Sequence, residues 1–256
     1  MGDYNFSSII QALSSIGIKK GQSVFVHSNL GFFGRPENVF NQTELCELFE
    51  KAFFEIIGKE GTLICPTFSY SFCRKEIFDV EETKGVCGIF SEFIRKKSTA
   101  TRSIDANFSI SAIGQKAQYF AENAPPHSFG KSSFWDKLLT SDGIICNLNF
   151  DSGSTFIHFV ERELQVPYRW DKPFTGKLVN RGIEEERVFY HFVYDLAKTN
   201  HQPDFTKFDK ESKDAGLTKQ ANLGKGTVLA ISAKETFTFI KERLQDSPNF
   251  LIKGNL

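Results

Sequence analysis

Short apolar runs alternate with amphipathic segments through about the first 165 residues, and few folds satisfy that alternation. "SVFVHS" reads as a buried strand that stops at His27 and Ser28. "GTLICPTFSYSF" reads as another, broken at Pro66, and "DGIICNLNF" as a third. "RSIDANFSISAIG" also looks extended. Between these runs, residues 4–16 place Ile9, Ile10, Leu13 and Ile16 near helical spacing, and Gly17 ends the run. Residues 43–57 form a second helix, with Thr43 as N-cap and Leu45, Leu48, Ala52 and Phe53 on one stripe. "VCGIFSEFIRKK" and "AQYFAENA" are shorter helices. The pattern predicts a three-layer α/β fold, a sheet covered by helices on both faces.

From Val166 the character changes. "PYRWDKPFTGKLV" and "ERVFYHFVYDL" read as longer, more polar strands around an acidic turn at residues 184–186. A β-rich portion, about residues 166–256, is therefore expected as an addition to one domain spanning 1–256. "KFDKESKDAG" reads as solvated surface.

Charge and cysteine usage exclude several classes. Lys plus Arg number 31 and so do Asp plus Glu, which argues against a general nucleic-acid binder. No stretch of 18 uncharged apolar residues offers a transmembrane helix, and the N-terminus lacks the basic, apolar organisation of a leader, so a cytoplasmic protein is expected. The five cysteines are odd in number and no pair is spaced CxxC, so reduced thiols are expected rather than disulfides or a zinc site.

The densest chemistry lies in "STFIHFVERELQVPYR". His158 and Glu161 stand three apart and share a face if the segment is helical, with Thr155 able to cap it. A carboxylate beside an imidazole fixes its tautomer and stabilises the imidazolium, as a general base requires. Taken alone, the pair is a weak signal and reads sooner as an ordinary surface helix pair. A metal reading needs a second such motif, which the chain lacks. "VHSNLGFFG" offers backbone N–H groups for a phosphate or an oxyanion, or simply a strand-to-helix turn. GxxxxGK[ST], GxGxxG and GxSxG are absent. Arg102 and Asp105 in "TRSIDANFS" suit a phosphate and a substrate amine or hydroxyl, or a salt bridge. In "VPYRWDKPFTG" aromatics alternate with Arg169 and Lys172, which suits sugars, bases and phosphates, or an exposed basic strand edge.

Together and in this order, "GIKKGQSVFVHSNLG", "GTLICPTFS", "GIFSEFIRKKSTATRS", "FSISAIGQKA", "FGKSSFWDKL" and "STFIHFVERELQVPYR" resemble the aminoglycoside 3-N-acetyltransferase family over roughly residues 4–180. The resemblance implies a central mixed sheet and an N-acyltransferase that moves an acyl group from coenzyme A (acetyl-CoA) to an amine of an amino sugar, without a metal. It implies His158 as general base with Glu161 as its partner. It also implies CoA contacts at His27, Ser28, Asn29, Leu30, Arg102 and Ser103, with amides near residues 28–30 as oxyanion donors. Asp105, Tyr168 and Arg169 are expected to orient the acceptor. Aminoglycoside-active members usually show Arg-Ser-x-His-Pro, where this chain has Asp105 and Ala106, and Asn29 replaces the usual second Ser. Asp105 and the "PYR…K.F.G" tail instead resemble members of surface-polysaccharide pathways. Arg162, Arg169 and Lys172 further favour an anionic acceptor, so a nucleotide-linked amino sugar is expected. The rival expectations are an aminoglycoside-resistance enzyme and a non-catalytic carbohydrate-binding relative. No nucleic-acid or membrane partner is expected; a homodimer is a further expectation.

Overall fold

The computed structural model describes residues 2–195 and 202–253. Its strands are β1 (Ser23–Ser28), β2 (Thr62–Pro66), β3 (Phe78–Asp79), β4 (Thr101–Arg102), β5 (Ile110–Gly114), β6 (Ile144–Leu148), β7 (Arg169–Asn180), β8 (Ile183–Tyr194), β9 (Gln202–Pro203), β10 (Lys219–Leu223), β11 (Gly226–Ser232) and β12 (Ile252–Lys253). The helices are α1 (Phe6–Ser15), α2 (Gln42–Ile57), α3 (Ile89–Arg95), α4 (Ala117–Ala121), α5 (Phe134–Thr140), α6 (Phe156–Glu163), α7 (Thr206–Asp214) and α8 (Ala233–Asp246). None of the described helices is long and apolar enough to cross a membrane.

Seven strands form one mixed sheet in the order β10-β11-β6-β1-β2-β5-β4. β6, β1 and β2 run parallel, and the outer neighbours are antiparallel. Successive side chains of a strand face opposite sides, so a continuous apolar run needs a core on each face. On one face Phe25, Ile64 and Ile145 pack with Trp135 of α5, Phe156 of α6, Phe208 of α7 and Ile240 of α8. On the other, Val24, Val26 and Cys146 pack with Ile9, Phe53 and Phe90 of α1, α2 and α3. This is the predicted three-layer arrangement.

Local signals differ from expectation in three places. Asn41, not Thr43, caps α2: its extended backbone lets Oδ1 accept from Glu44 N at 2.9 Å while Glu44 accepts from Phe40 N at 2.7 Å. The chain between β4 and β5 is not extended, because Asp105 Oδ1 accepts from the amides of Asn107 and Phe108 and closes a turn there. The turn between β7 and β8 is Arg181–Gly182, both at positive φ, rather than the acidic residues 184–186. A two-residue hairpin needs that left-handed backbone, which glycine supplies without a Cβ clash, so the glutamates fall inside β8 with Glu184 paired to Lys177.

The β7–β8 hairpin is tied to the body through His191. Asn107 Oδ1 accepts from Cys73 N at 3.0 Å, so its amide nitrogen faces His191 Nε2 at 2.8 Å, and Cys73 Sγ lies 3.8 Å from Nδ1. Leu196, the last residue of the expected second long strand, lies outside the described residues. Beyond the hairpin the chain is not uniformly β. The segment read as solvated surface forms α7, which buries Phe208 and Ser212. β11 then enters the main sheet beside β6. The C-terminal portion thus completes the central sheet as well as extending it.

Candidate active site

α6 is short and amphipathic. Phe156, Ile157, Phe159 and Val160 are buried against the sheet. Thr155 makes no side-chain cap, being itself helical at φ −58°. One turn apart, His158 and Glu161 meet: His158 Nδ1 lies 2.8 Å from Glu161 Oε2, with the imidazole 23% exposed and the carboxylate wholly buried. A carboxylate can only accept, so Nδ1 carries the proton and Nε2 keeps the lone pair. The rings of Phe129 and Phe205 flank the imidazole at 5.8 and 5.9 Å.

A wholly buried carboxylate needs partners. Tyr168 Oη donates to Glu161 Oε1 at 3.1 Å, and Arg169 Nε sits 2.9 Å from Oε2 as an ion pair without the angle of a hydrogen bond. Arg169 is itself held, donating from Nη1 to the Phe192 carbonyl at 2.8 Å, with its guanidinium 3.8 Å from the Tyr194 ring centre. Burial and then the charge of Arg169 hold His158 below the ordinary histidine value, against the upward pull of Glu161. Burial and the Glu161 charge raise the Tyr168 phenol.

This pair stands near the carboxyl ends of parallel strands, where open α/β sheets bind ligands. His27 on β1 and Asn147 on β6 are register partners. On the α6 side of the sheet His27 Nε2, Asn147 Oδ1 and, just before α6, Ser154 Oγ are buried without a hydrogen-bond partner; Ser28 Oγ, also unpartnered, faces the other side. Such atoms suit a polar ligand that supplies the missing partners.

His27 is not a base here. Burial lowers it from 6.5 to about 4. Between those values the unfolded chain binds a proton that the folded His27 refuses, so stability falls as pH drops through the window. At roughly 1.4 kcal/mol per pH unit, the loss is about 3 kcal/mol. His27→Phe is expected to lose correspondingly less between pH 6.5 and 4 in urea titrations. Equal losses in both proteins would count against a neutral buried His27.

The remaining expected site residues scatter. Arg102 gives Nη1 to the carbonyls of Val80 and Thr83, Nη2 to the Thr67 carbonyl and Nε to Ser109 Oγ. Those donors are committed to binding loops together, and desolvation lowers the guanidinium to about 10. Ser103 and Asp105 line a narrow cleft with Phe108, Ser128 and Trp135, whereas Asn29 lines a separate groove with Phe32, Phe150, Lys213 and Lys225. Leu30 is buried in the core opposite α6. The Asn29 amide, expected among the oxyanion donors, is taken by the Leu148 carbonyl at 2.9 Å. Tyr168 and Arg169, expected at the acceptor, are buried against Glu161. Sequence reasoning did not single out Phe129, Phe205, Asn147 or Ser154; nothing in their local pattern marks them, because only the chain's path brings them to α6 and β1.

The fold is α/β, and the carboxylate-held imidazole is its candidate catalytic group. Among the described residues no three His, Cys, Asp or Glu side chains group as a metal site would need. The family model of aminoglycoside 3-N-acetyltransferase matches residues 25–245, and the chain belongs to that family. It is 26% identical over 215 residues to the SPbeta prophage-derived aminoglycoside N(3')-acetyltransferase-like protein YokD of Bacillus subtilis (strain 168), covering 72% of this chain and 73% of that protein. Among solved structures, AAC-IIIb in a binary complex with CoASH superposes with a TM-score of 0.79 at 18% identity, covering 93% of this chain and 97% of that one. AAC-VIa bound to sisomicin gives 0.79 at 18%, covering 95% and 98%.

Proposed function

We propose that this protein transfers an acyl group from acyl-CoA to an amine of an amino sugar, with His158 as general base. The observation that carries the reading is the 2.8 Å contact between His158 Nδ1 and the wholly buried Glu161 carboxylate, which leaves Nε2 to accept a proton. Bound acyl-CoA supplies the activated acyl carbon and departs as the thiol. Its polar arm would meet the unpartnered atoms of His27, Asn147 and Ser154; the AAC-IIIb complex supports CoA as donor by analogy of fold. His158 takes the proton that the amine must lose as it attacks. Glu161 steadies the resulting imidazolium, and Phe129 and Phe205 shield the ring from water.

For the acceptor, the preferred reading is a nucleotide-linked amino sugar made for surface polysaccharide. Its support is Asp105, which stands where the resemblance places the His that aminoglycoside-active members usually carry. The charge argument shrinks to Lys172, which is exposed: Arg162 is clamped on Asp171 at 2.8 Å and Arg169 on Glu161 at 2.9 Å, so neither of those offers a free cation to an anionic acceptor. The second reading, an aminoglycoside, is favoured by the sisomicin complex of AAC-VIa. Thiol release from acetyl-CoA with both acceptor classes separates them. The expected result is a kcat/KM roughly tenfold or more higher for nucleotide-linked amino sugars. The reverse order assigns the antibiotic, and no thiol with any amine points to the non-catalytic carbohydrate-binding alternative.

A further inference from the structure

We infer that Arg169, assisted by Tyr168, is a positioning residue that sets how firmly His158 holds a proton, by sharing the Glu161 carboxylate with the imidazole. The inference rests on His158 being the base. Glu161 Oε2 faces both His158 Nδ1 at 2.8 Å and Arg169 Nε at 2.9 Å, while Oε1 takes the Tyr168 hydroxyl at 3.1 Å. Arg169 cannot swing away. Its side chain is 5% exposed, anchored on the Phe192 carbonyl and stacked on Tyr194, its register partner across the hairpin. Tyr194 also stacks on Tyr168. The base of the β7–β8 hairpin is thus built around a carboxylate on α6.

The chemistry requires such a divider. A buried carboxylate with no other partner would raise the imidazole's hold on its proton, and a protonated imidazole accepts nothing. A carboxylate wholly neutralised would leave a weak base. The charged groups facing His158 are Glu161 from its own helix and Arg169 from β7. The segments leading to α5 and α7 present the uncharged rings of Phe129 and Phe205. Arg169 and Glu161 pull the imidazole in opposite directions, as the sharing requires.

The test is an NMR titration of the His158 ring in the full-length chain, alongside the pH profile of kcat/KM. Arg169→Met should raise the His158 midpoint by about one pH unit or more. The acid limb of activity should move the same way, so that the loss is greatest at low pH. Arg169→Lys, which keeps a cation, should fall between Arg169→Met and the wild type. Tyr168→Phe disturbs the core less and keeps the test alive should Arg169→Met fail to fold; its midpoint should rise by a smaller amount. Midpoints unmoved in every variant that folds, with activity lost evenly at all pH, would reduce Arg169 to a structural ion pair and overturn the inference. Full activity in His158→Ala would instead remove the base assignment, and the NMR midpoint still reports on Arg169 by itself.

Discussion

His158→Ala is expected to lower turnover by roughly a hundred- to ten-thousandfold, the range a positioned general base contributes. The fold should survive, because the ring keeps 23% of its side chain exposed, while its neighbours Phe156, Ile157, Phe159 and Val160 make the core contacts of α6. The measurement is thiol release under saturating acyl-CoA and acceptor, paired with a melting curve and a CoA titration. A large fall in kcat, with CoA affinity nearly intact, is what a proton-accepting role requires. Retention of full activity on the true acceptor would falsify it. A parallel collapse of melting temperature and activity would show that the ring holds α6 in place rather than doing chemistry.

The sequence made the first half of the fold legible because apolar periodicity is local. Val24, Phe25 and Val26 announce a strand covered on both faces without reference to any other segment. The pairing of His158 with Glu161 was legible for the same reason, since three-residue spacing on a helix fixes a neighbour. What failed was partnership at longer range. Arg169 and Tyr168 look like acceptor contacts in an aromatic, basic stretch, and nothing local says that the chain turns back to lay them on Glu161. Arg102 was read as a phosphate ligand because an arginine among uncharged residues looks unpaired. Its partners are main-chain carbonyls of Thr67, Val80 and Thr83, which no side-chain pattern reveals. Charge counted along the sequence misled in the same way at two of its three cations: Arg162, Arg169 and Lys172 suggested an anion site, and the two arginines have their carboxylates within the protein. α7 was missed because its lysines and aspartates outweigh Phe208 and Ser212, the two residues that dock it.

Glu161→Ala and Glu161→Gln are expected to part company, and the difference separates the carboxylate's two tasks. Alanine leaves the Arg169 guanidinium buried with a carbonyl and a ring for company, and removing one partner of a buried ion pair costs about 3–5 kcal/mol. For a chain of ordinary stability that is a large share of the total, so urea unfolding should show a strongly lowered midpoint. Glutamine keeps an oxygen for the His158 Nδ1–H and a group against Tyr168, so it should lose less stability. It removes the negative charge, however, and with it the stabilisation of the imidazolium. Arg169 then acts on His158 unopposed. The acid limb of activity should therefore move to lower pH, opposite to the displacement expected for Arg169→Met, and the plateau should fall because a weaker base takes the proton. Because the two residues share one oxygen of one carboxylate, the double variant should be far from additive, with Arg169→Met recovering part of what the glutamine alone loses in stability. Additive losses, or acid limbs that move in the same direction, would mean that His158 does not sense the two charges through a common group.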